Sequence, residues 1–211
     1  MKRYWSMLLL LAGVWGASYL FIKVAVEEIE PAPMMAFRTL LAAAVLLAYV
    51  VSRFGWTRAV EELGAAWRHC LVLGIFNAAV PFWLIAWGEQ HIDSGLAAVV
   101  QASVPIFNAL LILRFLPHER LTPTRALGLA IGIVGVAVVT GIHPEGGSLA
   151  ILGALAVVLS SLSYAGAGVY GQQALSGTAG PVLASGSMLV GGLILTPFAL
   201  FQLPSSVPSL E

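Results

Sequence analysis

The sequence predicts an all-α, polytopic membrane helical bundle, on three observations. Its residues are 59% hydrophobic and 9% charged, whereas a soluble domain carries about 25% charged residues. The apolar residues gather into about seven runs, each near the roughly 20 residues that cross a bilayer as a helix. Almost every Lys and Arg falls in alternate gaps between those runs. Helices and closed barrels are the structures that satisfy their backbone in lipid, and the runs lack the two-residue alternation of barrel strands.

The first run, Trp5–Val26, follows Lys2 and Arg3 and superficially resembles a secretory signal. It is too long for one, contains Trp15 and Tyr19, and lacks a small-residue cleavage site, so it reads as a retained transmembrane helix. The second, Pro33–Val51, opens after Glu27, Glu28 and Glu30. Between Ser52 and Arg68 charged residues alternate with Trp56, Val60, Leu63 and Trp67, a brief amphipathic turn lying at the membrane interface. The third run, His69–Trp87, precedes Glu89 and Asp93; the fourth, Ser94–Phe115, ends among Arg114, Arg120 and Arg125. Pro123–Gly141, Leu149–Gln172 and Pro181–Phe201 complete the set. By the positive-inside rule the N-terminus is cytoplasmic and the first loop is outside.

Formal net charge is zero, and there is no basic tail or interleaving of bases with aromatic residues. Nucleic acid is therefore excluded as the expected partner; the lipid bilayer takes that place. The single cysteine, Cys70, rules out an intramolecular disulfide and reads as a small packing residue.

An internal repeat is suggested by a shift of about 149 residues, which lays Trp15–Lys23 (WGASYLFIK) over Tyr164–Gln172 (YAGAGVYGQ). Aromatic, small and terminal polar positions agree, and Pro33 falls close to Pro181. A five-helix unit is odd, so its second copy enters the membrane from the opposite side, which makes an inverted repeat. On this reading residues 1–141 form one full unit, and residues 142–211 hold two helices of the next and an outer loop. The chain is then expected to be a piece of a longer protein, because Gln202–Glu211 reads as an inter-helix loop.

Two prolines mark the sharpest local feature. Pro81 follows Asn77, and Pro105 follows Gln101, by four residues each. A proline removes the hydrogen bond to the carbonyl four residues back, so the carbonyls of Asn77 and Gln101 are expected to be freed near mid-membrane. Interrupted helices at that depth are the usual pointer to a transporter's binding site. In the fourth run Ser94, Ala98, Gln101, Pro105 and Asn108 share one face. That face either lines a cavity or joins helices through amide bonds worth about 0.6 kcal/mol on average; cavity lining is the preferred reading. Trp15, Ser18 and Tyr19 form a stripe on the first helix, and Ser160 and Tyr164 a similar one on the sixth. Across an inverted repeat the two stripes become opposite walls of one pocket.

Lys23 and Arg38 are the bases of the outer half. Lys23 is expected to snorkel to the interface. Arg38 lies deeper and needs protein or water, with Glu27, Glu28 or Glu89 as partner; an anion-attracting vestibule is the functional alternative. Glu89 and Asp93 are expected to be solvated loop acids, with proton relay as the functional alternative. Gly128 and Gly132 form a GxxxG, with Gly135 a turn on, and Gly166, Gly168, Gly171, Gly191 and Gly192 crowd the last two helices. These permit close helix approach, and the sequence does not distinguish contact within the chain from contact in a homodimer. Catalysis finds no support: GxSxG, HExxH and P-loop motifs are absent. The four histidines make no metal-ligand spacing, and no cofactor is implied.

Several segments together resemble a known family. WGASYLFIKVAVEEIEPAPMMAFRTLLAA (Trp15–Ala43) is similar to the opening two helices of the drug/metabolite transporter superfamily, EamA type. Asn77 and HIDSGLAAVVQASVPIFNALL (His91–Leu111) look like its third and fourth helices, and ERLTPTRALGLAIGIVGV (Glu119–Val136) like its loop and fifth helix. His118 stands where the family usually has glycine. The resemblance implies about ten helices in two inverted repeats around a central cavity, with alternating access. It also implies a secondary transporter of the bacterial inner membrane, an exporter of small metabolites or drugs rather than an enzyme. Trp15, Ser18, Tyr19, Asn77, Gln101, Asn108 and Tyr164 would then contact solute, and Pro81 and Pro105 would shape the moving helices. The competing readings are a non-transporting membrane fragment or subunit and an intramembrane enzyme acting on lipid-linked substrate. The solute and the coupling ion are not legible.

Overall fold

In the computed structural model, the structure describes residues 2–115, 122–141, 147–175 and 177–203. These form ten α-helical segments and one π-helical turn, with no strand among the described residues. In chain order they are α1 (Lys2–Ala25), α2 (Pro31–Phe54), α3 (Trp56–Ala65), α4 (Trp67–Leu73), the π turn (Gly74–Ala79), α5 (Val80–Glu89), α6 (Ser94–Gln101), α7 (Val104–Phe115), α8 (Pro123–Gly141), α9 (Gly147–Ala174) and α10 (Gly180–Phe201). Among the described residues six stretches are long and apolar enough to cross a membrane: Tyr4–Ala25, Pro31–Phe54, Trp67–Glu89, Ser94–Phe115, Gly147–Gln172 and Gly180–Phe201. The remaining expected span, Pro123–Gly141, is a helix of 19 residues. Residues 204–211, expected to be an outer loop, lie outside the described ones.

The amphipathic segment after α2 is a full helix. Gly55, with a positive φ of 81° that suits glycine, turns the chain from α2 into α3. Ala59 of α3 is buried against Val50 and Val182, while Trp56 and Val60 are exposed. Arg58 and Glu62 form an ion pair one turn apart.

The bundle is organised around α9 and α10. The α10 helix runs along α2 and also touches α3, α4 and the π turn; α9 packs on α5, α6 and α7. Without a hydrophobic force between helices in lipid, close approach at small residues supplies the attraction. A Cβ at Gly191 would lie 2.7 Å from Ala78 Cβ, one at Gly192 2.6 Å from Leu40, and one at Gly74 2.6 Å from Val190. Gly186 leaves room for Cys70 in the same interface, so the buried cysteine packs rather than reacts. On α8, Gly132 faces Ile106, whereas Gly128 and Gly135 face open space, as do Gly166 and Gly168 on α9. Close packing within the chain is thus seen at Gly132, Gly191 and Gly192, with an ordinary contact of 3.8 Å at Gly171, and not at those four. The α1 helix rests on α6 and α5 near one end and is exposed from Tyr4 to Ala17.

Candidate functional site

Both membrane helices with a central proline depart from regular α geometry, each differently. At Pro81 the helix widens. The Val80 N–H bonds the Ile75 carbonyl, five residues back. In that register Pro81 faces the carbonyl of Phe76, one residue upstream of the Asn77 carbonyl expected from α spacing. Ser163 Oγ of α9 donates to the Phe76 oxygen at 2.7 Å. The freed acceptor is therefore served by a neighbouring helix. Asn77 itself is half-buried within the π turn, the kind of irregularity that recurs at functional sites.

At Pro105 the helix breaks instead of kinking. The α6 helix stops at Gln101, and Ser103 N–H bonds the Val100 carbonyl at 3.0 Å. The α7 helix then starts at Val104 with Pro105 in its first turn, where the missing N–H costs nothing. Gln101, 7% exposed, accepts a hydrogen bond from Ser160 Oγ of α9 at 2.9 Å. That bond is helix-joining, the reading ranked second in sequence. Just beyond it, Ser103 Oγ and Asn108 Oδ1 are buried with no hydrogen-bond partner among the described residues.

Toward the end of the bundle that carries the α1–α2 and α5–α6 turns, five aromatic and polar side chains converge. Arg38 Nη2 donates to Ser18 Oγ at 2.8 Å, and its guanidinium lies 5.1 Å from the centre of the Phe82 ring. Phe82 in turn stands 6.2 Å from the ring of Tyr164. Tyr19 and Tyr164 pack against the same buried cluster around Ile22, Met35 and Ile85, so the two predicted stripes meet. Trp15 does not join them. It is 64% exposed, a turn further along α1, where no described element covers the helix.

Lys23 does not snorkel. Its Nζ donates to the carbonyls of Glu89 at 2.7 Å and Ile92 at 3.2 Å, closing the carboxyl end of α5, where unpaired carbonyls and the helix dipole favour a cation. Arg38 has no carboxylate at ion-pair distance among the described residues, where Arg58 with Glu62 is the ion pair seen.

Glu89 is the residue that sequence reasoning misplaced. It is fully buried, at 0% exposure, and neither carboxylate oxygen has a hydrogen-bond partner among the described residues. Placed just past the third apolar run, it looked like a loop acid. Burial follows from its neighbour: Gly88 lies against the backbone of Gly153 on α9, which draws the end of α5 into the bundle. The glycine immediately before the acid was the available signal. Asp93, in contrast, is exposed as expected.

A pocket of about 290 Å³ opens between α1 and α2, with Ser18 and Arg38 in its wall. No group of three or more His, Cys, Asp or Glu able to hold a metal occurs among the described residues.

With this arrangement in view, comparison with known proteins is decisive. A model described as the EamA-like transporter family matches residues 3–141. The chain belongs to the EamA-like transporter family. It is 30% identical over 212 residues to an uncharacterized transporter of Archaeoglobus fulgidus, covering 100% of this chain and 70% of that protein. It is 30% identical over 190 residues to the uncharacterized inner membrane transporter YedA of Escherichia coli K12, covering 86% of this chain and 57% of that one. The uncharacterized transporter YcxC of Bacillus subtilis is 31% identical over 160 residues, covering 74% of this chain and 49% of its own. The EamA-like chain thus spans between about half and 70% of the length of these relatives. No solved structure matches it. It is a multi-pass membrane protein of a transporter family.

Proposed function

We propose that this EamA-like chain serves in a secondary transporter that exports a small organic solute across the bacterial inner membrane by alternating access. The observation that carries this is a pair of adjacent membrane helices, Trp67–Glu89 and Ser94–Phe115, each interrupted near its middle. Beside the second interruption, Asn108 and Ser103 hold buried polar atoms without a hydrogen-bond partner among the described residues. Polar groups at that depth need water, another helix or a ligand, and broken helices at the midplane are where transporters bind solute.

On this reading Asn108, Asn77, Ser18, Tyr19 and Tyr164 contact solute, and Gln101 helps hold the wall through Ser160. Trp15 contributes from the exposed part of α1. Pro81 and Pro105 set the two flexing points, while Lys23 and Arg38 supply positive charge to the outer vestibule. Residues 1–141 form the first five-helix repeat and 142–211 part of the second, a division supported by the family match to 3–141. The N-terminus is cytoplasmic, from the distribution of Lys and Arg.

The test is solute counterflow in proteoliposomes, using labelled amino acids, nucleosides and organic acids. Saturable exchange of at least one class, reduced at least about tenfold by Asn108→Leu, the loss expected for a hydrogen bond to solute, is the expected result. Folded protein that exchanges none of them, or exchange indifferent to Asn108, overturns the reading.

A further inference from the structure

We propose that Arg38 and Ser18 head a binding site for an organic anion with an apolar body, a carboxylate in the simplest case, seated in the pocket between α1 and α2. The inference rests on the transporter reading for the purpose of the site, though not for its existence.

The pocket's lining suits such a ligand. Apart from Ser18 and Arg38, its wall is Phe21, Ile22, Ala25, Met34 and Met35. That wall is apolar except where Ser18 and Arg38 meet. Its volume of about 290 Å³ is at the small end of the range for ligand sites, which suits a metabolite of modest size.

The polar part of the wall is built for an anion. A guanidinium offers five donors in a planar fork matched to a carboxylate. Arg38 donates to Ser18 and rests one face on Phe82. No carboxylate is within ion-pair distance of it among the described residues. An arginine at membrane depth needs a counter-charge, and among the described residues no carboxylate is in contact with Arg38.

The surrounding charges agree. Facing this region are Lys23 and Tyr19 from α1, Arg38 from α2, Glu89 from α5 and Tyr164 from α9. Against one buried acid stand two bases, so positive charge is in excess whether Glu89 is ionised or not. Glu27, Glu28, Glu30 and Asp93 belong to the exposed turns at the same end, where water and salt screen them.

Depth favours a solute over a lipid headgroup. Arg38 is seven residues inside α2 and Ser18 seven residues inside α1, about 10 Å along each helix. A 24-residue helix spans about 36 Å against a hydrocarbon core of about 30 Å. The guanidinium therefore lies inside the core, below the phosphates.

The experiment uses the protein in nanodiscs of phosphatidylcholine, which carries no net charge. The probes are benzoate and indole-3-acetate, each paired with its amide, and binding is read by saturation-transfer NMR. Saturable binding of the acids, weaker by at least about tenfold for the amides, is the expected result, one charge-assisted hydrogen bond accounting for such a factor. Arg38→Gln should abolish the preference and Arg38→Lys should retain part of it, with circular dichroism showing both folded. Equal binding of acid and amide, or acid binding that survives Arg38→Gln, overturns the proposal. So does a protein that binds neither acid but retains phosphatidylglycerol through Arg38, which would make this a headgroup site. Transport with no preference for acids and no response to Arg38→Gln would sink this inference and leave the transporter reading standing. Acid binding at Arg38 without any counterflow would do the reverse.

Discussion

A methyl group placed at Gly88 tests the contact that buries the end of α5. Its carbon would sit 2.8 Å from the Gly153 carbonyl oxygen and 2.8 Å from Val157 Cγ2. The reciprocal methyl at Gly153 would sit 2.9 Å from the Gly88 oxygen. Carbon–oxygen contacts between helices settle at about 3.3–3.6 Å, so either substitution must part α5 and α9 by about half an ångström. A gap of that size forfeits about a quarter of each dispersion contact it opens. Backbone cannot swing aside as a long side chain can, and overpacking of this kind costs about 1–3 kcal/mol. Gly88→Ala and Gly153→Ala should each destabilise the fold within that range. Both methyls open the same gap, so the double variant should cost clearly less than the sum, by more than the roughly 0.5 kcal/mol scatter of independent sites. Reversible unfolding in mixed micelles at increasing dodecyl sulfate, followed by circular dichroism, measures all three. Neutral single variants, or costs that simply add, would refute the geometric argument and with it the account of why Glu89 is buried.

Three further outcomes follow from individual bonds. A double-mutant cycle over Gln101→Leu and Ser160→Ala should give a coupling of about 0.6 kcal/mol, and no more than about 1.7 kcal/mol; zero coupling in the same unfolding assay would mean that the α6–α9 bond does not form. Ser163→Ala leaves the Phe76 carbonyl unserved and should cost about 1 kcal/mol while speeding amide exchange between residues 74 and 80; Ser163→Thr should restore both, and unchanged exchange would contradict the assigned register. Lys23→Met strips the donor from the carbonyls of Glu89 and Ile92, with an expected loss of about 1–3 kcal/mol, and Lys23→Arg should recover most of it; a Met variant as stable as the parent would show that the carbonyls find another donor.

What could be read from the chain, and what could not, divides along the range of the forces involved. Hydrophobic runs and the placement of Lys and Arg are local, and the spans stand close to where those patterns put them. The prolines were equally visible, yet their consequences were not. Whether a proline widens a helix, as at Pro81, or ends it, as at Pro105, depends on what a neighbouring helix offers, here Ser163 to the Phe76 carbonyl and Ser160 to Gln101, four residues before Pro105. Tyr19 and Tyr164 were legible as facing stripes because their spacing is helical. Trp15 shares that spacing and is left uncovered, since periodicity gives a face and says nothing about how far along the helix a neighbour extends. Glu89 and Lys23 were misjudged together. Each sits at a helix end, where hydropathy marks the edge of lipid, and burial there is decided by Gly88 against Gly153 on a helix more than sixty residues away in the chain.

The widened turn at Gly74–Ala79 also fixes the angular phase of everything after it. In a helix each residue turns the chain by about 100° and advances it by about 1.5 Å. A deletion of one residue within this turn, such as would restore regular α spacing, would rotate α5 as a rigid rod. Glu89 would swing away from Lys23 and α1, and Gly88 would no longer meet Gly153. The insertion therefore behaves as an address for the acid. A family member lacking that one residue would present another side chain at this position, however similar its flanking sequence.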